Sequence, residues 1–497
     1  VINSNSAASL VLLAATLGLV PQPVIAQAPP KADGAKQQAE FYKADVVQTI
    51  HLTITEDNLR QMVAALPKRI YVPATFRWRD TVIENVGVRY KGNSSSNPRQ
   101  QHKRSFLIKF SKFDKTSRFI GLERASLDNG IQFGSLFSEP IVTDILRDLD
   151  VPTYRCNYTR LMLNGRFHGV YTNVERIDQT FIASHLPDKQ GALFKVDEGG
   201  PGCNLQLISD NPRAYANTFE PKNKSAEKNG GELVDLIKLI NQPATDEFTQ
   251  RLEMDTFLQT TAVMLFAGAF DQLTGWQSHN YYLYHDGQNN RWHYLPWDLD
   301  VGFSETAFDR VNVIADWNAA WPVPTTGMPN PLLERIMANP ALLKKYRETA
   351  KAILLNHFEP NRLRAAIDAK YQLIKADLQD DPFPHRRVTS RQNEDYDTIV
   401  ASMKSFVRKR FNIARQQLEN PGPRPQFVGR QPDSNQPNGM PPGLAKKIQT
   451  VQQRTKQLQQ KMKAVQKLMQ QIGPLMQQGK TEAAEKLIDK LLRITDQ

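Results

Sequence analysis

Alternating apolar and polar positions open the ordered pattern at 46–54, where VVQTIHLTI has the period of two that marks a strand. Thr55 follows as an N-cap, and Glu56 and Asp57 fall in the first turn of the helix it predicts, where carboxylates meet the positive helix end. YVPATFRWRDTVIENVGVRYKGNSSS reads as two strands turning at Arg79-Asp80 and running into a Gly/Asn/Ser loop. Val86, Val88 and Tyr90 share one face of the second strand; Gly87, Arg89 and Lys91 share the other. RSFLIKF (104–110) is a further strand, with Phe106, Ile108 and Phe110 inward and Lys109 opposite.

SLFSEPIVTDILRDLDV has helical spacing, and NYTRLMLNGRFHGVYTNVERID is a hairpin turning at Asn164-Gly165. GGELVDLIKLINQ predicts a helix, and DTFLQTTAVMLFAGAFD, apolar on most faces, predicts a helix buried in the core. The strands NYYLYHD and WHYLPWDLD follow, joined at 287–290. From about 330 to 418 the pattern is helical, broken at Pro340, Pro360 and Pro382. Residues 419–443 are a linker by composition, and 444–497 predict a helical hairpin or coiled-coil module that binds a partner or self-associates.

Composition narrows the class. The 497 residues are 40% hydrophobic and 23% charged, which fits a globular chain. A net charge of +12 favours acidic partners, but neither an RNA-binding aromatic signature nor zinc-finger spacing accompanies it, so specific nucleic-acid binding is not expected. Residues 1–26 carry a short apolar run ending in Val24-Ile25-Ala26 and read as an export signal. Pro21 and Pro23 interrupt that run well short of the ~20 residues a membrane span needs. The mature chain is expected to be exported to the periplasm, cell surface or exterior, with a flexible lead-in over 27–42 and the main domain over 43–418. Its two cysteines, Cys156 and Cys203, are either a disulfide or two buried thiols.

Four clusters hold the chemistry. Arg89 and Lys91 lead into Gly92-Asn93-Ser94-Ser95, a basic strand face and a loop suited to phosphate oxygens. Lys103, Arg104 and Lys109 surround an apolar strand and require an anionic partner where buried. Glu175 follows another apolar strand and is placed to pair with one of those lysines. The fourth is the most informative: Asp271 is expected to end the buried helix, Asn280 to open a strand, and Asp298 and Asp300 to close the next one on the same side. Hard oxygen donors gathered this way suit Mg2+ or Mn2+ and meet the needs of phosphoryl transfer; salt-bridged structural aspartates are the competing explanation. His279 and His168 are expected to be structural hydrogen-bonders.

Taken together, VGVRYKGNSS, KRSFLIKF, LNGRFHGVYTNVERID, GALFKVDEG, DQLTGWQSHNYYLYHD and RWHYLPWDLDVGF resemble the CotH family of spore-coat-protein-H-like kinases over roughly 45–410. The resemblance implies an α+β, atypical protein-kinase-like fold with mixed and antiparallel sheets and a helical C-terminal part. It also implies ATP, a divalent metal, and transfer of phosphate to Ser or Thr of a protein. Asp271 would then orient or deprotonate the acceptor hydroxyl, and Asn280 and Asp298 would hold the metal, with Asp300 as a further or alternative ligand. Arg89, Lys91 and Lys109 would meet nucleotide phosphates, Glu175 would fix a phosphate-binding lysine, and Lys195 competes for that lysine role. Asp271 and Asn280 are nine residues apart, a longer interval than in ordinary kinase catalytic loops. A surface or matrix binding protein that keeps the fold without catalysis, and a metal-dependent phosphoester hydrolase, are the alternatives.

Overall fold

The computed structural model describes residues 31–424, apart from 94, 101, 132–135, 276–277, 308–310, 323–329 and 384–394, together with 468, 471 and 481–495. The expected export signal and most of the linker lie outside the described residues.

The chain first builds a closed barrel. Helix α1 (Lys31–Phe41) precedes β1 (Gln48–Thr53), α2 (Glu56–Ala64), β2 (Val72–Trp78), β3 (Thr81–Lys91), β4 (Ser105–Lys109) and β5 (Arg124–Asp128). Then come α3 (Ser138–Asp148), β6 (Cys156–Leu163) and β7 (Arg166–Val174). The strand order is β1-β2-β3-β4-β5-β7-β6, and a parallel pairing of β6 with β1 closes the ring and leaves no exposed edge. Thr55 caps α2 by accepting the Asn58 N–H at 3.3 Å. Asn164 and Gly165 turn the β6–β7 hairpin at positive φ, +50° and +79°, the conformation a two-residue turn requires.

Period-two alternation sends Ile50, Leu52, Phe76, Val88, Phe106 and Ile108 into the barrel interior. The lead-in expected to be flexible is instead helical from residue 31, and Phe41 stands edge-on to Trp78 and Phe119, at 5.4 and 5.0 Å between ring centroids. Its Ala/Gln/Lys composition favours helix, and Phe41 and Tyr42 provide the apolar anchor that makes the helix stay.

The second half is mixed. It holds α4 (Gln179–His185), β8 (Ala192–Val196), β9 (Glu220–Pro221), α5 (Lys224–Lys228), α6 (Gly230–Asn241), α7 (Phe248–Arg251) and α8 (Met254–Ala267). β10 (Tyr281–Asp286) and β11 (Arg291–Pro296) complete a sheet of order β11-β10-β8-β9. Helix α8 is buried almost all round, as its unbroken apolar character predicts, and Gly268 ends it in the left-handed region at φ +73°. Pro331–Ala338, Pro340–His357, Pro360–Gln379 and Tyr396–Glu419 form the C-terminal helices. Pro340 and Pro360 begin helices rather than interrupt them, because a first-turn proline has no N–H to lose.

Cys156 and Cys203 are buried free thiols, Cys156 lying 3.0 Å from the Thr143 hydroxyl. Residues 428–497 form a separate unit. Of its expected hairpin, the second helix is described, as Thr481–Thr495; the first lies outside the described residues apart from two positions.

Candidate active site

Where the barrel meets the second half, a cleft of about 820 Å3 opens, lined by both carboxylates and cations. β3 brings Lys91 to the barrel rim, and Asp128, the last residue of β5, accepts an ion-paired hydrogen bond from it. Helix α3 contributes Glu139 from its first turn. The Tyr154 hydroxyl donates to Glu139 at 2.6 Å and accepts the Leu299 N–H at 3.2 Å, which ties α3 to the segment after β11.

That segment does not continue the strand. β11 stops at Pro296, and Asp298 takes φ +59°, so Asp298 and Asp300 do not share a face through extended geometry as expected. Two hydrogen bonds lock the bend: the Trp297 N–H donates to the Asn280 carbonyl at 2.9 Å, and Gln272 Nε2 donates to the Trp297 carbonyl at 2.9 Å. Asn280 is itself left-handed at φ +57°, immediately before β10. Asp271 lies beyond the end of α8 rather than on its last turn, because Gly268 has already terminated the helix.

The carboxylates crowd. Ligand oxygens of Asp128, Glu139 and Asp298 all lie within 4.8 Å of one another. Burial, reinforced by the charges of Asp128 and Asp298, pushes the Glu139 carboxyl up to about 8. Burial and the Asp298 charge push Asp271 up to about 8 as well, and Asp300 is displaced upward for the same two reasons. Asp298 is raised by burial even though Lys91 opposes the shift. The charged form of each of these carboxyls carries a cost that a bound cation would relieve. In the same cleft, burial first and then the neighbouring Arg176 lower the Lys195 amine, which pairs with Asp197 at 2.5 Å.

Asp271, Asn280, Asp298, Asp300, Lys91, Lys195 and Arg89 therefore line one cleft. Arg89 sits at its margin, its guanidinium donating to the Tyr90 carbonyl at 2.9 Å and lying over the Tyr71 ring. Two expected members are not brought there. Lys109 occupies the far end of β4: Lys91 is in register with Ser105, and Lys109, four residues on, lies about 13 Å further along the strand. Its partner is Glu123 at 3.2 Å. Glu175 fixes no lysine; its buried carboxylate accepts from the Arg155 backbone and guanidinium, with His185 3.5 Å away. Burial alone would raise Glu175, but His185 and Arg155 hold it down at about 2. His279 lines the cleft, while His168 packs against Tyr171 and Phe383, lowered to about 4 by burial and then by Lys103.

Sequence reasoning missed Asp128, Glu139, Arg176 and Asp197. Glu139 left a trace, an acid inside the apolar run SLFSEPIV at a helix start, as did Asp128, which closes the RASLD strand.

A barrel and a mixed helical half enclosing a cleft of clustered carboxylates and cations define an α+β protein. The chain belongs to the CotH family: the family described as CotH kinase protein matches residues 88–413, which hold every cleft carboxylate named above. Inner spore coat protein H of Bacillus subtilis is 24% identical over 341 residues, spanning 67% of this chain and 88% of that protein. Spore coat protein homolog 1 of Rhizopus delemar is 19% identical over 247 residues, spanning 48% of this chain and 40% of that protein. Among the described residues, no helix is long and apolar enough to cross a membrane.

Proposed function

We propose that this chain is an exported, atypical kinase-like phosphotransferase that moves the terminal phosphoryl group of ATP to a Ser or Thr hydroxyl of a protein. The observation that carries the reading is the junction in one cleft of the acidic cluster, the cations beside it and the buried Asp271 carboxylate. A protein that only bound its partner would gain nothing from holding Asp271 in place with one oxygen uncommitted.

The acidic cluster fits a divalent metal. Three carboxylates converge, Asp128 Oδ2 is buried without a hydrogen-bond partner, and all the donors are hard oxygens suited to Mg2+ or Mn2+. Asp298, Asp128 and Glu139 would hold it, with Asn280 and Asp300 alongside. A divalent ion held there would supply charge neutralisation at the phosphate oxygens. Lys91, paired with Asp128, and Lys195, paired with Asp197, supply positive charge within the same cleft. Asp271 orients the acceptor hydroxyl and takes its proton as the new O–P bond forms and the bond to the ADP oxygen breaks. Asn280 holds Asp271 for that task.

Location outside the cytoplasm rests on the N-terminal sequence and on the two relatives, both named as spore coat proteins. The test is incubation of the purified chain with Mg2+ or Mn2+, γ-labelled ATP and a Ser/Thr-rich protein acceptor. Phosphoserine or phosphothreonine is expected. Release of inorganic phosphate with no labelled protein would replace this reading with phosphoester hydrolysis, and absence of nucleotide binding by calorimetry would overturn both.

A further inference from the structure

Arg176 follows β7 directly, lines the cleft, and lies with its guanidinium carbon 4.5 Å from the centroid of the Trp297 ring. Three carboxylates contribute to its electrostatic surroundings, Asp178, Asp128 and Asp197. Each is already engaged elsewhere. Asp178 accepts the Thr180 N–H at 3.0 Å and lies 3.4 Å from Arg124; Asp197 is paired with Lys195, and Asp128 with Lys91. Among the described residues, the Arg176 guanidinium forms neither a hydrogen bond nor an ion pair, whereas Lys91, Lys195 and Lys222, which share its cleft, all form ion pairs. A guanidinium held over an indole face by a cation–π contact keeps its N–H groups available to donate two hydrogen bonds. A permanently charged fork with no partner, partly buried in a cleft, is the arrangement that receives an oxyanion.

Resting on the phosphotransferase reading of the same cleft, we propose that Arg176, held over the ring of Trp297, is the anion clamp that binds the phosphate chain of the nucleotide through two oxygens. The ligand class is a polyphosphate, with the nucleoside contributing nothing to this contact. Trp297 acts as a positioning residue: it also lies beneath Lys91 and Lys195, at 6.0 and 5.7 Å from their amines, so one indole sets the spacing of three cations.

Calorimetry of the full chain with Mg2+ and, in separate runs, ATP, inorganic tripolyphosphate and adenosine tests the clamp. Arg176→Gln is expected to weaken ATP and tripolyphosphate by about tenfold or more and to leave adenosine unchanged. Arg176→Lys, which keeps the charge and loses the fork, is expected to fall between the two and serves as the test if the glutamine variant does not fold. Equal tripolyphosphate affinity in wild type and either folded variant would overturn the clamp. The two readings separate cleanly. Tripolyphosphate binding that is lost in Arg176→Gln without any phosphoryl transfer leaves the clamp standing and removes the kinase. Transfer with an unchanged KM for ATP in the variant removes the clamp and leaves the kinase.

Discussion

Asn280 donates its side-chain amide to one oxygen of Asp271 at 2.9 Å, and the other oxygen of that carboxylate is buried with no hydrogen-bond partner among the described residues. A half-satisfied buried carboxylate is unfavourable for folding, so its retention points to a substrate-facing task. Asp271→Asn keeps the shape and the Asn280 contact but removes the base. Transfer, followed by single-turnover kinetics with labelled ATP, is expected to fall about 100-fold or more. The thermal midpoint is expected to stay level or rise, because burial already disfavours the charge. A variant that transferred at the wild-type rate would remove Asp271 from the chemistry.

Asp298 stands at the centre of the repulsion: its charge contributes to the upward displacement of Glu139, Asp271 and Asp300. Structural aspartates and ligand aspartates respond oppositely to its removal. Asp298→Asn is expected to hold or raise the cation-free melting temperature while abolishing the rise that millimolar Mg2+ or Mn2+ gives the wild-type chain. Differential scanning fluorimetry with and without cation measures both. A lower cation-free midpoint together with an intact cation response would make Asp298 a structural residue.

Glu175 is a structural carboxylate, and its pH dependence has a definite sign. Its folded value is depressed from 4.5 to about 2, so the stability it contributes is present above about 4.5 and is lost as pH falls toward 2. Glu175→Gln leaves Arg155 without its counter-charge and is expected to cost about 3 kcal/mol at pH 7. The variant is also expected to lose less stability than wild type between those two pH values. Urea unfolding at a series of pH values would show parallel curves if the pairing contributed nothing.

Legibility followed sequence distance. The Arg79-Asp80 and Asn164-Gly165 turns, the buried α8 helix and the Asp271, Asn280, Asp298 set each rest on local pattern within thirty residues, and each was readable. Asp128, at the end of barrel strand β5, and Glu139, in the first turn of α3, join the cluster from elements far upstream, and only the tertiary fold carries them there. Lys109 shares chemistry with Lys91 but not position, since strand alternation predicts a face and not which end of the strand meets the cleft. The bend at Asp298 is likewise invisible in PWDLD, because the hydrogen bonds that impose it come from Asn280 and Gln272.

Among the described residues, a fully buried ion pair helps tie the C-terminal helices to the barrel. Lys103 donates to Asp381 at 2.9 Å and to the Val170 carbonyl at 2.6 Å, and the Val170 N–H donates to Asp381 at 3.0 Å. Both side chains are fully buried, and a Cβ on Gly169 would lie 2.8 Å from the Asp381 oxygens, so the approach requires glycine there. Removing one partner strands a buried charge, so Lys103→Met and Asp381→Asn are each expected to cost about 3–5 kcal/mol, and the double variant clearly less than their sum. His168 gives an independent readout. Burial and the Lys103 charge lower it from 6.5 to about 4, so its neutral form supports the fold above pH 6.5, and that support is lost as pH falls toward 4. Lys103→Met is expected to raise the His168 titration midpoint in NMR and to narrow that acid-sensitive window from below. An unchanged midpoint, with additive costs in the double variant, would show that the pair does not act as one unit.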